Sequence, residues 1–302
     1  MKNLFIIFCS VALISCNQNS KKGIQSQDME SKASSKTDTS RTTEMVYFEG
    51  GTFTMGSSAR TDFEKPAHQV TVDAFKIDKS PITVAEFAKF IEATAYITDA
   101  EKYGDAGVYN FNIQNWELKK GAYWLYPLGR EFAKAEMTHP VTQVSWNDAQ
   151  AYCKWANKRL PTEAEWEFAA TNGGKSDLLY SWGNTLIQND KYMANVWQGN
   201  SISASQGEDG FIYTSPIGYF GTTESGLTDM GGNVWNWCND VFQLYPGNNM
   251  DYTVDELTKS MRGGSFFFDQ SLEKSFTVTF RAPNTSETSL FNIGFRCASD
   301  ID

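Results

Sequence analysis

Residues 262–281 read RGGSFFFDQSLEKSFTVTFR, a glycine turn and three consecutive phenylalanines set among charged side chains. Asp269, Glu273 and Arg281 are the groups here able to do acid–base work, and nothing in their spacing specifies a reaction. The Arg281 guanidinium could clamp a carboxylate or a peptide carbonyl; equally, it could be a buried structural arginine paired with a nearby acid. Phe266, Phe267 and Phe268 offer an apolar lining for a groove, although strand alternation turns one or two of them toward the core. The chain has only two histidines, His68 and His139, both outside this segment. His139, before Pro140, reads as a structural hydrogen-bonding residue. A second candidate, ANVWQGNSISASQGEDGF (194–211), carries amide and carboxylate oxygens of the kind hard cations take, and alone is a weak calcium signal.

The 302 residues are 41 % hydrophobic and 14 % aromatic, enough for a real core. Nine Trp, 23 Gly and eight Pro indicate a loop-rich globular body rather than a bundle or repeat array. A net charge of −10 with scattered Lys and Arg excludes the clustered basic face that nucleic acid demands. The N-terminus MKNLFIIFCSVALISC has Lys2, a short apolar run from Leu4 to Ile14, and a Cys after small residues, the pattern of a secretory signal (1–15). Leu13-Ile14-Ser15-Cys16 resembles a bacterial lipobox, which implies cleavage before Cys16 and a lipid on its thiol. Residues 16–44 are polar and free of aromatics, a disordered tether. Asn17 in place of an aspartate points to the outer membrane. With the signal removed and Cys16 acylated, Cys153, Cys238 and Cys297 remain; one disulfide and one unpaired thiol is the simplest arrangement in an oxidising compartment.

A folded region, 45–302, must position the candidates. MVYFEGGTFTMG reads as a hairpin about Gly-Gly, and VTVDAFKID (70–78) as one strand. Capping boxes at Thr83/Glu86, Ser145/Asp148 and Thr162/Glu165 predict three short helices, the last preceded by Pro161. Beyond Thr171 the text is loops punctuated by Gly, Asn and Trp. The fold class is α+β with little regular secondary structure.

GGTFTMGS (50–57), KIDKSPITVAEFAKFIEAT (76–94), HPVTQVSWNDAQAYCKWANKRLPTEAEWEFAA (139–170), GGNVWNW (231–237), RGGS (262–265) and NIGFRC (292–297) follow one another in an order that resembles the formylglycine-generating enzyme, or sulfatase-modifying factor, family. The resemblance covers residues from about Met45 to Asp300. It implies a single C-type-lectin-like domain. The family's oxidase holds copper(I) between two thiolates, soft ligands for a soft ion, three and eight residues beyond the serine of RGGS. Those positions are Phe268 and Glu273 here, so no copper is expected. The resemblance also implies one or two calcium ions, at Asn195, Val196, Asp209 and Phe211, and at Asp229, Gly232, Val234 and Asn236. At the second site the family usually has Asn first and Glu last, the reverse of Asp229 and Asn236. It further implies a Cys153–Cys297 disulfide, and a groove that includes Ser265, Arg281 and Asn292. A second family bridge would need Cys where Ala170 and Val278 stand. Cys238 reads as a small buried hydrophobe.

The expectation drawn from all this is a lipid-anchored, calcium-stabilised domain without oxidase activity, binding a ligand, peptide or protein in the cell envelope. An enzyme of another reaction type on the same fold is the alternative, and a formylglycine-generating oxidase acting on sulfatases comes last.

Overall fold

The computed structural model describes residues 43–198, 205–267 and 275–301. Cys16 and the tether up to residue 42, together with Phe268, Asp269 and Glu273, lie outside the described residues.

The N-terminal part corrects the hairpin reading. Strands β1 (Met45–Phe48) and β2 (Gly51–Met55) do not pair with each other. β1 pairs with β4 (Phe75–Asp78), and β2 with β3 (His68–Val72), both antiparallel. The two arms therefore make one bent ribbon, and Gly50-Gly51 is the bend in one arm rather than the turn between arms. Gly50 has φ +81°, and a Cβ there would stand 2.5 Å from the Val72 carbonyl oxygen across the ribbon, so the bend needs glycine. The opposing arm breaks at Asp73–Ala74, which divides the single strand expected at 70–78 into β3 and β4.

Helices α1 (Val84–Thr94), α3 (Trp146–Trp155) and α4 (Glu163–Ala170) start at the three expected boxes. At α1, Glu86 N–H donates to Thr83 Oγ1 at 3.2 Å and Thr83 N–H donates to Glu86 Oε2 at 2.9 Å. A fourth box, Thr98 with Glu101, opens the short α2 (Asp99–Tyr103) ahead of the β5 (Asp105–Asn110) and β6 (Asn115–Lys120) hairpin. After the small β7 (Ile187–Gln188)–β8 (Lys191–Tyr192) pair, a central sheet forms in the order β11-β10-β9-β12. Its strands are β9 (Trp235–Val241), β10 (Thr258–Arg262), β11 (Arg281–Thr285) and β12 (Ile293–Gly294). β13 (Ala298–Asp300) closes the chain against β4. The sequence concealed this sheet because β9, WNWCNDV, is buried on both faces over Trp235–Cys238 and shows no alternation.

Three apolar clusters hold these parts together. Phe87, Phe90, Tyr152, Trp237 and Phe295 join α1 and α3 to the sheet. Phe48, Phe53, Phe75 and Phe168 pack α4 under the bent ribbon. Tyr109, Phe266, Phe267 and Phe291 join the β5–β6 hairpin to the segment after β10. Fully burying each such ring contributes about 1.5–3 kcal/mol. Ala170 and Val278, the positions of the second family bridge, sit in the same cluster and fill it with apolar packing.

Candidate functional site

The RGGS turn is built by its glycines. Gly263 and Gly264 have φ +90° and +65°, and a Cβ on Gly264 would meet the backbone of Ser275 at 2.7 Å. The turn places Ser265 beneath Asn292, whose Nδ2 donates to Ser265 Oγ at 3.0 Å. Phe267 N–H also donates to that hydroxyl, at 3.2 Å. Asn292 Oδ1 is buried with no protein partner, a free acceptor beside the turn.

The phenylalanines divide between wall and core. Phe267 sinks into the third cluster, 4.8 Å from the Tyr109 ring and 5.4 Å from Phe291, measured between centroids. Phe266 stands 5.9 Å from Tyr213 and 5.4 Å from Phe291 and forms part of the wall of an open cavity of about 430 Å³. Leu128, Phe132, Phe211, Tyr213 and Phe291 are among its other apolar lining residues. His139 is its titratable polar handle beside Lys134 and Glu136. The His139 ring is half-buried, with Nδ1 2.9 Å from Thr214 Oγ1, and burial lowers its pKa. Phe132 and Tyr213, exposed by 51 % and 38 %, are presented to whatever enters. Sequence reasoning missed both, because each lies in a loop with no motif of its own.

Arg281 does not belong to this groove. It is 1 % exposed and donates from Nε and Nη2 to the two carboxylate oxygens of Glu163, both at 2.6 Å. Nη1 donates to the carbonyls of Gln243 and Phe63, and the guanidinium lies 4.0 Å from the Tyr245 ring centroid. Every face is taken, which leaves the buried structural arginine. The cause is cross-strand register: Arg281 on β11 stands opposite Arg262 on β10, and two buried cations side by side demand an anion. Glu163, the first residue of α4, supplies it to both, and Glu167 one turn on takes Arg262 Nη2. Burial alone would raise the Glu163 carboxyl, but Arg281 and Arg262 outweigh it and hold its pKa below the usual glutamate value. RLPTEAEWE is thus a structural motif: Thr162 and Glu165 cap the helix, Glu163 and Glu167 neutralise the sheet's arginines.

The two cation loops differ. In the first, Asp209 is mostly buried, and its carboxylate accepts N–H groups of Val196 and Phe211, both at 2.9 Å. Asn195 donates through Nδ2 to the Tyr213 carbonyl, while its Oδ1 is buried without a protein partner. The Val196 carbonyl accepts from Gln198 Nε2, which also bonds Asp209. An unpaired amide oxygen, a carboxylate and a carbonyl held only by a neutral amide fit a hard cation; an ion would take the place of the Gln198 amide group. Burial raises the Asp209 pKa, so cation binding should weaken on acidification from above the ordinary aspartate range.

The second set, Asp229, Gly232, Val234 and Asn236, does not offer a cation the same acceptors. The Asp229 carboxylate accepts from Gly218 N–H at 2.7 Å and Asn233 Nδ2 at 3.0 Å. Asn236 Oδ1 accepts from Arg296 Nε at 2.7 Å and Trp166 Nε1 at 3.3 Å, so its NH₂ faces the Val234 carbonyl, at 2.9 Å. A donor stands where an ion would need an acceptor.

Cys153 in α3 and Cys297 before β13 are buried, with their sulfurs 2.7 Å apart. Cys238 is fully buried, and desolvation, with Glu163 nearby, pushes its thiol well above the ordinary value; it has neither the access nor the charge of a nucleophile. No described helix is long and apolar enough to cross a membrane.

Comparison with known proteins agrees with the fold. The sulfatase-modifying factor enzyme 1-like domain matches residues 30–301. The chain is 38 % identical over 281 residues to the formylglycine-generating enzyme of Mus musculus, covering 85 % of this chain and 75 % of that one. It is 36 % identical over 280 residues to the inactive C-alpha-formylglycine-generating enzyme 2 of Bos taurus, covering 86 % and 89 %. Among solved structures, PvdO from Pseudomonas aeruginosa superposes with a TM-score of 0.65 at 23 % identity, over 86 % of this chain and 95 % of that one. This chain therefore belongs to the sulfatase-modifying factor, or formylglycine-generating enzyme, family.

Proposed function

We propose that this chain is a non-catalytic member of its family: a domain tethered to the cell envelope by a lipid on Cys16, at the outer membrane, stabilised by calcium, and binding a ligand or protein through the cavity beside Ser265. The observation that carries the reading is the sulfur inventory. The family positions for copper thiolates are Phe268 and Glu273, and Cys153, Cys238 and Cys297 are all buried away from the cavity wall. Overall identity does not separate the readings, since the chain is similar both to enzymes and to relatives named inactive. Calcium would be held by Asn195, Val196, Asp209 and Phe211. It would brace the cavity mechanically: the Asn195 carbonyl accepts Asn233 N–H at 2.7 Å, and the Asn233 carbonyl accepts Phe266 N–H at 3.0 Å.

Arrays of immobilised peptides and glycans supply the probe. Against the best binder found, Phe132→Ala and Tyr213→Ala should each weaken binding by a hot-spot value, about 2 kcal/mol or roughly 30-fold. Asp269→Asn and Glu273→Gln should leave it unchanged. The reverse sensitivity would sink the binding reading and point to an enzyme of another type.

A further inference from the structure

We infer that the second family cation set is closed to an ion in this chain by an arginine clamp: Arg296, with Trp166, holds the Asn236 amide so that its nitrogen stands where an ion would need an acceptor. The inference is independent of the calcium reading proposed above for the first loop, which enters only the ion count of its test. Its own ground is the hydrogen-bond inventory of Arg296 and Asn236.

Arg296 is fully buried and directs all five of its N–H bonds to oxygens of three chain segments. Nη1 donates to the carbonyls of Asp78 and Lys79 at 3.1 and 3.3 Å, at the end of β4. Nη2 donates to the carbonyls of Thr228 and Asp229, both at 2.8 Å. Nε donates to Asn236 Oδ1 on β9. These segments include the first and last residues of the family's second cation site. The guanidinium thus ties together, through neutral oxygens, the segments that carry Asp229 and Asn236.

The orientation of the Asn236 amide is fixed by this arrangement. Its oxygen receives N–H bonds from both Arg296 and Trp166. Turning the amide over would lose both bonds and set NH₂ against two N–H donors, so the NH₂ stays on the Val234 carbonyl. An ion at that point would meet N–H hydrogens. A glutamate here has two equivalent acceptors: one could keep Arg296 and Trp166 while the other joined the Val234 carbonyl around an ion. A glutamate would also give Arg296 a direct carboxylate partner. Asn236→Glu should therefore recreate a site that the present chain lacks.

The test is calcium per chain by elemental analysis after removal of loose metal, with circular dichroism to verify folding. Wild type should hold one ion, Asp209→Asn none, Asp229→Asn one, Asn236→Gln one and Asn236→Glu two. Two ions in wild type, or loss of the single ion in Asp229→Asn with Asp209→Asn unaffected, overturns the inference. So does a folded Asn236→Glu that gains nothing. If wild type holds none and Asn236→Glu holds one, the reading of the first loop fails while the clamp stands. If Asn236→Glu does not fold, the contrast between Asp209→Asn and Asp229→Asn still decides where the ion sits.

Discussion

Glu163→Ala should destabilise the domain by about 3–5 kcal/mol, the cost of removing one partner from a buried ion pair. That is a large part of the roughly 5–15 kcal/mol available to a folded domain, so the variant should be mostly unfolded or recovered at low yield. The size follows from the position of Glu163 between two guanidiniums that face each other across β10 and β11, both excluded from water. Taking away the carboxylate leaves two like charges buried together with only Glu167 as anion. Glu163→Gln keeps the shape and should lose less. The pH dependence has a definite sign. The folded pKa of Glu163 lies below its ordinary value of 4.5, so its contribution is present above pH 4.5 and is lost as pH falls through the folded value. Urea unfolding at neutral pH checks the first claim. A Glu163→Ala domain with a wild-type midpoint would show that the network is dispensable.

The second large effect concerns Cys153 and Cys297. Their sulfurs meet in the core between α3 and the start of β13, 144 residues apart in sequence. In an oxidising compartment they should be bonded. Closing so long a loop is worth about 2–4 kcal/mol, so reduction, or Cys297→Ser, should lower the urea midpoint accordingly. Thiol titration of the denatured 45–302 region should find one free group, Cys238, before reduction and three after it. Three free thiols in protein made in an oxidising compartment would refute the bridge.

The sequence made some parts of this molecule plain and hid others, for identifiable reasons. Helix starts were legible because a capping box is local: Thr83 and Glu86 sit three residues apart and bond each other. The bent ribbon was not, because Gly50-Gly51 serves equally as a hairpin turn or a kink, and only the break at Asp73–Ala74 in the other arm decides. The role of Arg281 was open for the same reason. Its partner, Glu163, lies 118 residues away, and only the β10–β11 register makes that partner necessary. At the cavity, the RGGS turn was legible, while Phe132 and Tyr213 come from loops that no periodicity marks. At the second cation set the residues carry oxygens, as the sequence shows, but two N–H donors fix the Asn236 amide with its nitrogen toward the Val234 carbonyl.

The central claim is that this family scaffold operates without the family's copper chemistry. Its most direct test is elemental analysis of the purified region 45–302, which contains neither Cys9 nor Cys16, after exposure to copper(I) and removal of loose metal. Oxygen uptake is then followed with a cysteine-containing peptide. Calcium without copper, and no oxygen uptake, is the result predicted here. One tightly held copper per chain with peptide-dependent oxygen consumption would contradict it.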